Sequence, residues 1–477
     1  MLAGVALVHG KILFTWPFWL DEYHTLFVAE RGSLARSMSD LAAGADFNPP
    51  LLYVIDRLIS SVTGGLTPVS MRIESFVTIW LALVVVFVTL RRILSPSAAF
   101  IGAFAVWSHE LTVVYAFVGR FYGPWLLLAA LTVWSIGLDA ERDTSRKRDI
   151  ALAVSSVLVC TIHYFGIFSL VLMALGAAAW ILGNGKSLRR LAPMLAGPAA
   201  LALCTPFYLG QRAALTVKTW IPNVAPYQLR EMLGVFALRG PLVVCAVALV
   251  VSAGWSFYRS RRLPSLPWRS LTALPLLALL AMPLMVYAIS LFVQPFMKDR
   301  YAIVAVLGWA VIAGFAATTL PRPGKAILLG VLFLYSIKVL SARVAQVKTA
   351  QMTIEAEAAS VKPYLDAGLS VVVPKRFSLY PLAAATSQPT RLLYPDFTDS
   401  TAHARRFSAE MILERDVARV HHRLYGFPSL FAVDAPRGSA DIYVLLPIGV
   451  GTDVLPVWFP AEQIREVAPG MYRLTPR

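Results

Sequence analysis

Long stretches of apolar residues recur along this 477-residue chain, and they constrain its fold more than any other feature. Several approach the ~20 residues that a helix needs to cross the ~30 Å hydrocarbon core of a bilayer. A backbone inside lipid must satisfy its own polar groups, so these stretches are predicted to be helices. Their number and length argue against a single large soluble helical core. They cover residues 76–90, 122–138, 150–182, 191–209, 241–257, 271–293, 301–319 and 326–340.

The formal net charge of +16 first suggests a nucleic-acid-binding protein, but the positions of the basic residues argue against that function. Most of the surplus lies before residue 341, in short loops between the apolar stretches. This is the positive-inside pattern that marks cytoplasmic loops. We therefore expect a membrane protein with no nucleic-acid partner. The basic loops are Arg91-Arg92, Arg142 to Arg148, Lys186 to Arg190, Arg259 to Arg269 and Arg322 to Lys325.

Placing the basic loops in the cytoplasm orients the remaining segments. Residues 1–340 are predicted to form an all-α polytopic membrane domain with about 10–13 transmembrane helices. The count stays open because residues 50–63 and 73–90 cannot both cross without placing Arg91-Arg92 outside. The apolar run at residues 1–8 is also too short for a complete span, which predicts a stunted first helix or a start further upstream.

Residues 341–477 have an ordinary composition and are predicted to form a small extracytoplasmic α/β domain. Strand-like runs lie at Ser370–Pro374 and Ile442–Leu446, and a helix-like stretch lies at Ser408–Leu424. The three cysteines all lie earlier, in apolar segments, and read as small buried hydrophobic residues. They are Cys160, Cys204 and Cys245.

The first outer loop covers residues 16–48 and opens with the sequence WPFWLDEYH, which contains Asp21 and Glu22. Trp and Tyr side chains anchor at membrane interfaces, so the two acids are expected at the outer lipid–water boundary. A carboxylate there could deprotonate an acceptor hydroxyl, or hold a metal ion or a sugar hydroxyl. A solvated pair of acids is the simpler alternative, and these two residues alone do not decide between the two.

Four further motifs fall on the same outer side under this topology. Outer Arg and Lys residues oppose the positive-inside bias, which indicates an anionic ligand such as a lipid phosphate. Contact with headgroups and snorkelling are the alternatives, and a lone membrane His is more often structural than a ligand. The two prolines of the first motif favour a helix start. The motifs are Asp46-Phe-Asn48-Pro-Pro, Gly119-Arg120-Phe-Tyr122, His163-Tyr-Phe and Lys298-Asp-Arg300-Tyr301.

Taken together, these fragments resemble the GT-C superfamily of integral-membrane glycosyltransferases. The likeness is greatest to the bacterial glycosyltransferase 39 branch, which contains protein mannosyltransferases that use dolichyl-phosphate-mannose and aminoarabinose transferases. Their order and spacing between residues 16 and 320 carry the resemblance, whereas no single fragment identifies a substrate. The fragments are FWLDEYHT, FNPPLLYVIDRL, VGRFYGPWLLLAAL, TIHYFGIFSL and PFMKDRYAIVAVLGWA.

The resemblance implies an enzyme of the bacterial inner membrane with a periplasmic C-terminal domain. It would transfer a hexose or pentose from a polyprenyl-phosphate donor to a glycan, lipid or protein on the outer face, with inversion at the anomeric carbon. Asp21 would be the base, with Glu22 beside it as a second catalytic residue. The resemblance implies no certain cofactor and leaves a divalent cation open. Residues implied to bind the donor phosphate or sugar are Arg120, Tyr122, His163, Lys298, Arg300, Tyr301 and Asn48.

This chain departs from the family pattern at Asn48. The family usually has His or Lys before the Pro-Pro pair, and an asparagine can form hydrogen bonds but brings no charge. Asp46, two residues earlier, could compensate for that difference.

Three other functions remain alternatives: a lipid or sugar flippase, a ligase or polymerase of lipid-linked glycans, and a non-catalytic scaffold. A transporter is expected to carry ionisable residues near the middle of the membrane and to show repeated halves. The sequence has no evident internal repeat, and a scaffold would leave the outer charges unexplained. The charged residues Asp56, Arg57, Glu74 and Arg239 lie near segment ends or in the ambiguous region. The sequence does not identify the sugar, the acceptor or the oligomeric state.

Overall fold

Helices make up most of this protein in a computed structural model. The structure describes residues 18–138, 145–215, 224–238, 243–248, 250–251, 270–374, 376–396, 409–432, 442–446 and 462–476, together with Gly10, Phe14 and Gly254. The predicted first apolar segment, residues 15–17, the basic loop from Arg259 to Arg269, and Arg239 lie outside that part.

Many of the α-helices of the membrane domain lie in the predicted apolar stretches, and the stretch at residues 241–257 falls only partly within the described residues. They are α1 Leu20–Ala29, α2 Leu34–Ala42, α3 Leu51–Thr63, α4 Pro68–Leu90, α5 Pro96–Ser108, α6 Glu110–Tyr115, α7 Tyr122–Ile136, α8 Arg146–Ile162, α9 Gly166–Gly183, α10 Ala196–Leu203, α11 Thr205–Ala213, α12 Pro226–Leu233, α13 Ala273–Ala278, α14 Met282–Phe292, α15 Val306–Thr319 and α16 Arg322–Asp366. Short 3₁₀ segments cover Leu188–Leu195, Leu279–Ala281 and Asp299–Ala305, and a π-helical segment covers Gly234–Leu238.

Six helical segments in the described part are long and apolar enough to cross a membrane. They are Pro68–Leu90, Gly166–Gly183, Leu188–Ala213, Ala273–Phe292, Asp299–Thr319 and Arg322–Asp366. The helices α5 and α7 are apolar but shorter. This confirms the predicted multi-pass helical membrane fold, while the total of about 10–13 helices stays a prediction.

The ambiguous region before Arg91 resolves into two helices of unequal length. α3 has 13 residues and begins at Leu51, directly after Pro50, as the Pro-Pro motif predicts. α4 has 23 residues, begins after a Thr67 cap and ends at Leu90. Of these two helices, only α4 is long enough to span the membrane. The pair therefore no longer forces Arg91-Arg92 to the outer side.

Small residues allow the central helices to approach closely. A Cβ atom added to Gly102 on α5 would lie 2.4 Å from the carbonyl oxygen of Ala310 on α15. Real atoms do not come that near, so these two backbones can pack at this distance only because residue 102 is glycine. The contact joins two helices that are more than 200 positions apart in the sequence and fixes the centre of the bundle.

The C-terminal region forms the predicted α/β unit. The strands are β1 Val371–Val372, β2 Leu392–Asp396, β3 Ser429–Ala432, β4 Ile442–Leu445, β5 Glu462–Ala468 and β6 Met471–Pro476, and the helices are α17 Arg376–Ala385 and α18 Ala409–Tyr425. One six-stranded sheet has the order β3-β2-β1-β4-β6-β5. The pairs from β3 to β4 are parallel and the last two pairs are antiparallel.

The helix α16 connects the two predicted domains without a break. It runs for 45 residues from Arg322 to Asp366 and so passes through the predicted boundary at residues 340 and 341. Its apolar first part belongs to the membrane bundle, whereas Val361 and Leu365 near its end pack in the core of the sheet. The domain division at residues 340 and 341 stays a prediction, with a shared helix across it.

Candidate functional site

The first turn of α1 carries Asp21 and Glu22. Trp19 caps this helix, and its backbone N–H donates to Glu22 Oε2 at 2.8 Å, which fixes the start of the turn. Neighbouring helical residues point about 100° apart around the axis. The two acids therefore enter different surroundings although they are adjacent in the sequence.

Glu22 is fully buried and both of its oxygens accept hydrogen bonds. Arg72 on α4 donates through Nε to Oε1 at 2.9 Å and through Nη2 to Oε2 at 2.7 Å. The backbone N–H of Gly119 donates to Oε1 at 2.8 Å. With the Trp19 contact, Glu22 ties α1 to α4 and to the segment that carries Arg120. Arg72 was not predicted as a site residue, because in the sequence it stands out only as a single arginine near the start of an apolar segment.

Asp21 is more open. Its side chain is 26% exposed, and its Oδ2 lies 3.4 Å from Arg300 Nη1. That distance exceeds the usual range for a charge-assisted hydrogen bond, so the pair is loose. The structure thus brings two sequence-predicted residues together that are 279 positions apart, and leaves the carboxylate of Asp21 accessible.

Arg120 lies beneath Asp21 in the turn before α7 and is buried. Its Nη1 donates to Asp46 Oδ2 at 2.5 Å and to the backbone oxygen of Asp21 at 2.8 Å, and it also contacts the hydroxyl of Thr25. A buried guanidinium needs such partners, because an unpaired buried charge is costly. Asp46 therefore supplies the countercharge for Arg120.

The segment around Asn48 is also buried. Asp46 Oδ1 accepts from the backbone N–H of Phe47 at 2.7 Å, and Asn48 Nδ2 lies 3.5 Å from the same oxygen. The carbonyl oxygen of Asn48 accepts from Gln211 Nε2 on α11 at 3.0 Å. Asp46 brings a negative charge to this segment, two residues before Asn48, but that charge is already paired with Arg120.

His163 belongs to a column of aromatic rings beside these charges. Its ring stacks on Phe121 with centroids 4.0 Å apart and lies 5.6 Å from the ring of Tyr301. His163 Nδ1 accepts the backbone N–H of Phe165 at 3.2 Å, which caps the turn before α9. Burial, together with the nearby Arg120 and Arg300 guanidiniums, holds the pKa of His163 well below its usual value. Its imidazole is therefore neutral at pH 7 and adds no positive charge to the site.

The other predicted residues lie around the same charges. Tyr122 is buried and packs ring to ring with Tyr115 at 4.1 Å. Lys298 stands immediately before the 3₁₀ turn that carries Arg300, and the backbone N–H of Arg300 donates to Asp299 Oδ1 at 2.7 Å.

Two further acids lie on α3 and α4, and Asp56 is close enough to Arg120 and Asp46 of the predicted site to feel their charges. Asp56 and Glu74 are buried side by side, and their carboxyl groups accept from no N–H group among the described residues. α3 is too short to be counted among the spanning helices. Burial raises the pKa of Asp56 from 3.8 to about 7, with Glu74 as its neighbour. This pair was not assigned to a site from the sequence.

A metal site is not apparent in the described part of the chain. No group of three or more His, Cys, Asp and Glu side chains there is placed to hold an ion. Within those residues, no set of side chains is therefore placed to bind the divalent cation that the resemblance left open.

No family model and no curated protein matches the sequence, whereas solved structures do. The aminoarabinose transferase ArnT from Cupriavidus metallidurans in its apo state matches with a TM-score of 0.60 and 13% identity, over 99% of this chain and 96% of that chain. Its form bound to undecaprenyl phosphate matches with a TM-score of 0.55 and 13% identity, over 99% and 97%.

The archaeal oligosaccharyltransferase AglB from Archaeoglobus fulgidus, in complex with an inhibitory peptide and a dolichol-phosphate, matches with a TM-score of 0.50 and 10% identity. That match covers 100% of this chain and 74% of that chain. This chain shares the fold of these two GT-C glycosyltransferases. The predicted resemblance is therefore confirmed for the fold over nearly the whole chain. Because identity is so low, the shared fold does not carry over the roles of individual residues.

Proposed function

We propose that this protein is a glycosyltransferase of the bacterial inner membrane that moves a sugar from a polyprenyl-phosphate donor to an acceptor on the outer face. The observation that carries the proposal is the partly exposed carboxylate of Asp21, which lies beside Arg300 and above the buried Arg120. A base next to cationic groups suits a reaction that removes a proton from the acceptor and leaves a negative charge on phosphate. The ArnT structure with undecaprenyl phosphate supports the choice of donor class.

The reaction follows from these positions. Asp21 takes the proton of the acceptor hydroxyl, and the acceptor oxygen attacks the anomeric carbon of the donor sugar. The bond between that carbon and the phosphate oxygen breaks, and its electron pair goes to the phosphate. The polyprenyl phosphate leaves with a negative charge that the guanidinium groups stabilise.

Arg300 is the better placed of the two arginines to touch the phosphate. Its contact with Asp21 is long, and its Nε has no acceptor among the described residues. Arg120 already donates to Asp46, Thr25 and the Asp21 backbone, and Asp46 balances its charge, so its main role in this proposal is to hold the loop. Lys298, Tyr122 and Tyr301 complete the proposed donor-binding residues.

His163, Asn48 and Glu22 receive positioning roles in this proposal. The neutral His163 ring shapes the aromatic wall, and Asn48 orders the loop that carries Asp46. Glu22 holds α1 against α4 through Arg72. We assign catalysis to Asp21 alone, because both oxygens of Glu22 already accept hydrogen bonds.

The test is transfer from a panel of polyprenyl-phosphate sugars in membranes that contain the wild type, Asp21→Asn or a control, Asp366→Asn. Asp366 is an exposed acid on α16 that pairs with Lys362, one turn earlier in the same helix. The proposal expects transfer by the wild type and the control, and a loss of about 10²–10⁴-fold in Asp21→Asn. Full transfer by Asp21→Asn at equal expression would remove Asp21 from the mechanism.

The same assay separates the alternatives. A flippase would move a lipid-linked sugar across the bilayer without forming a new glycosidic bond, and a ligase or polymerase would use a glycan acceptor. Identification of the product therefore assigns the acceptor class as well as the reaction.

A further inference from the structure

The helix α1 has a second face, opposite the one that carries Asp21. Tyr23 stacks on Tyr380 of α17 with centroids 5.4 Å apart and an interplanar angle of 24°. Phe27 lies 5.2 Å from the ring of His421 on α18. Residues 23 and 27 are one helical turn apart, so they form a single surface that faces the C-terminal domain.

Two buried side chains of the C-terminal domain also form a hydrogen-bonded chain to the outer loop. Tyr380 and His421 are 1% and 0% exposed. Tyr380 Oη lies 2.8 Å from His421 Nδ1, and His421 Nε2 lies 2.8 Å from the carbonyl oxygen of Ala45. A neutral imidazole with its proton on Nε2 satisfies both contacts, because it accepts from the tyrosine and donates to the carbonyl.

Ala45 directly precedes Asp46, the residue that pairs with Arg120. The C-terminal domain therefore contacts two segments of the chain that also carry residues of the candidate site. One contact lies at Tyr23, two residues after Asp21, and the other lies at Ala45, one residue before Asp46.

We propose that Tyr380 and His421 are positioning residues, through which the C-terminal domain fixes α1 and the Ala45–Asp46 segment and so aligns Asp21 with Arg120. This inference rests on the proposed function. It makes the soluble domain a structural part of the transfer site. Small displacements of reacting groups can cost about 10²-fold in rate, so a second domain that prevents them has a measurable effect.

The experiment uses the full-length protein in detergent with the variants His421→Ala, His421→Gln, Tyr380→Phe and His422→Ala. His422 is the matched control, because its Nδ1 contacts the carbonyl of Pro428 within its own domain at 2.8 Å. In His421→Gln the side-chain amide can again donate to the carbonyl oxygen of Ala45. Tyr380→Phe keeps the ring that stacks on Tyr23 but removes the hydroxyl that contacts His421. Backbone hydrogen exchange at Phe47 and Gly119 reports on the geometry, and binding of undecaprenyl phosphate reports on the site.

We expect His421→Ala to speed exchange at Phe47 and to weaken undecaprenyl phosphate binding roughly tenfold. Tyr380→Phe should show a smaller change in the same direction, His421→Gln should recover most of the binding, and His422→Ala should match the wild type. Unchanged exchange in His421→Ala would overturn the proposal, as would faster exchange with unchanged binding. An equal loss in His422→Ala would also overturn it, since that would show general loosening of the domain.

A failure of the proposed function looks different. In that case the wild type itself would transfer no sugar, whether or not it binds undecaprenyl phosphate. The exchange at Phe47 would still decide whether His421 holds the Ala45–Asp46 segment.

Discussion

Asp21 and Glu22 are neighbours in the chain, yet their carboxylates lie in opposite surroundings. Glu22 is fully buried and accepts from two backbone N–H groups and a bidentate arginine. Asp21 is 26% exposed and has one long contact, to Arg300. Saturated buried carboxylates hold structure together, whereas an accessible one near cations can take up a proton from a substrate. In the proposed function, this difference gives Asp21 the catalytic role and Glu22 a structural one.

The Asp56–Glu74 pair extends this comparison to a third environment. These acids are buried like Glu22 but accept from no N–H group among the described residues. Burial without donors favours the protonated form, so the two regions should respond to pH and to mutation in different ways.

The largest stability effect should come from Glu22→Gln. This change leaves the Arg72 guanidinium buried without its countercharge, which costs about 3–5 kcal/mol when a buried pair is broken. Denaturant unfolding of the purified protein measures it, and Asp366→Asn is the exposed control. A loss below about 1 kcal/mol, which is typical of a surface pair, would show that Glu22 does not tie the helices together.

A smaller effect of opposite sign is expected for Asp56→Asn. The ordinary pKa of an aspartate is 3.8, whereas the pKa of Asp56 in the folded chain is about 7. Between these two pH values the folded state holds a proton that the unfolded state has released. The stabilisation from that proton is complete below pH 3.8 and is lost as the pH rises through about 7.

Asp56→Asn should therefore flatten the fall of unfolding free energy between those pH values and stabilise the protein at pH 8, by on the order of 1–3 kcal/mol. Unfolding measured across this pH range checks the sign. A variant with the same slope as the wild type would contradict the account of a protonated buried acid.

Arg300→Gln should have the smallest effect on stability. Its ion pair with Asp21 is long and partly exposed, so the free energy of unfolding should change by less than about 1 kcal/mol. Binding of undecaprenyl phosphate should instead weaken roughly tenfold, because a charged donor to phosphate is lost. Lys362→Gln on the exposed face of α16 is the matched control for loss of a positive charge. Equal affinities in both variants would place the phosphate elsewhere.

Much of this arrangement could be predicted from local sequence. The apolar runs follow directly from the length and polarity that a bilayer demands, and the start of α3 follows from the Pro-Pro motif. The α/β character of the last region was visible in its strand-like runs, which became β1 and β4. The meeting of Asp21 with Arg300 could be inferred only because both were placed on one side of the membrane.

Other features could not be predicted because they depend on tertiary contacts. Nothing local marks Arg72 as the partner of Glu22, which lies 50 positions away. The continuation of α16 past residue 340 reflects packing at both of its ends. The contact of His421 with Ala45 joins residues 376 positions apart and has no signal in either segment.

The most direct test of the central claim compares Asp21→Asn with Glu22→Gln in the same preparation, with sugar transfer and thermal unfolding measured for each. The account predicts a crossed result. Asp21→Asn should lose transfer by about 10²–10⁴-fold and unfold at the wild-type temperature, whereas Glu22→Gln should unfold several degrees lower. Transfer that survives in Asp21→Asn, or a Glu22→Gln protein that keeps full stability but loses transfer, would contradict the division of roles between the two acids.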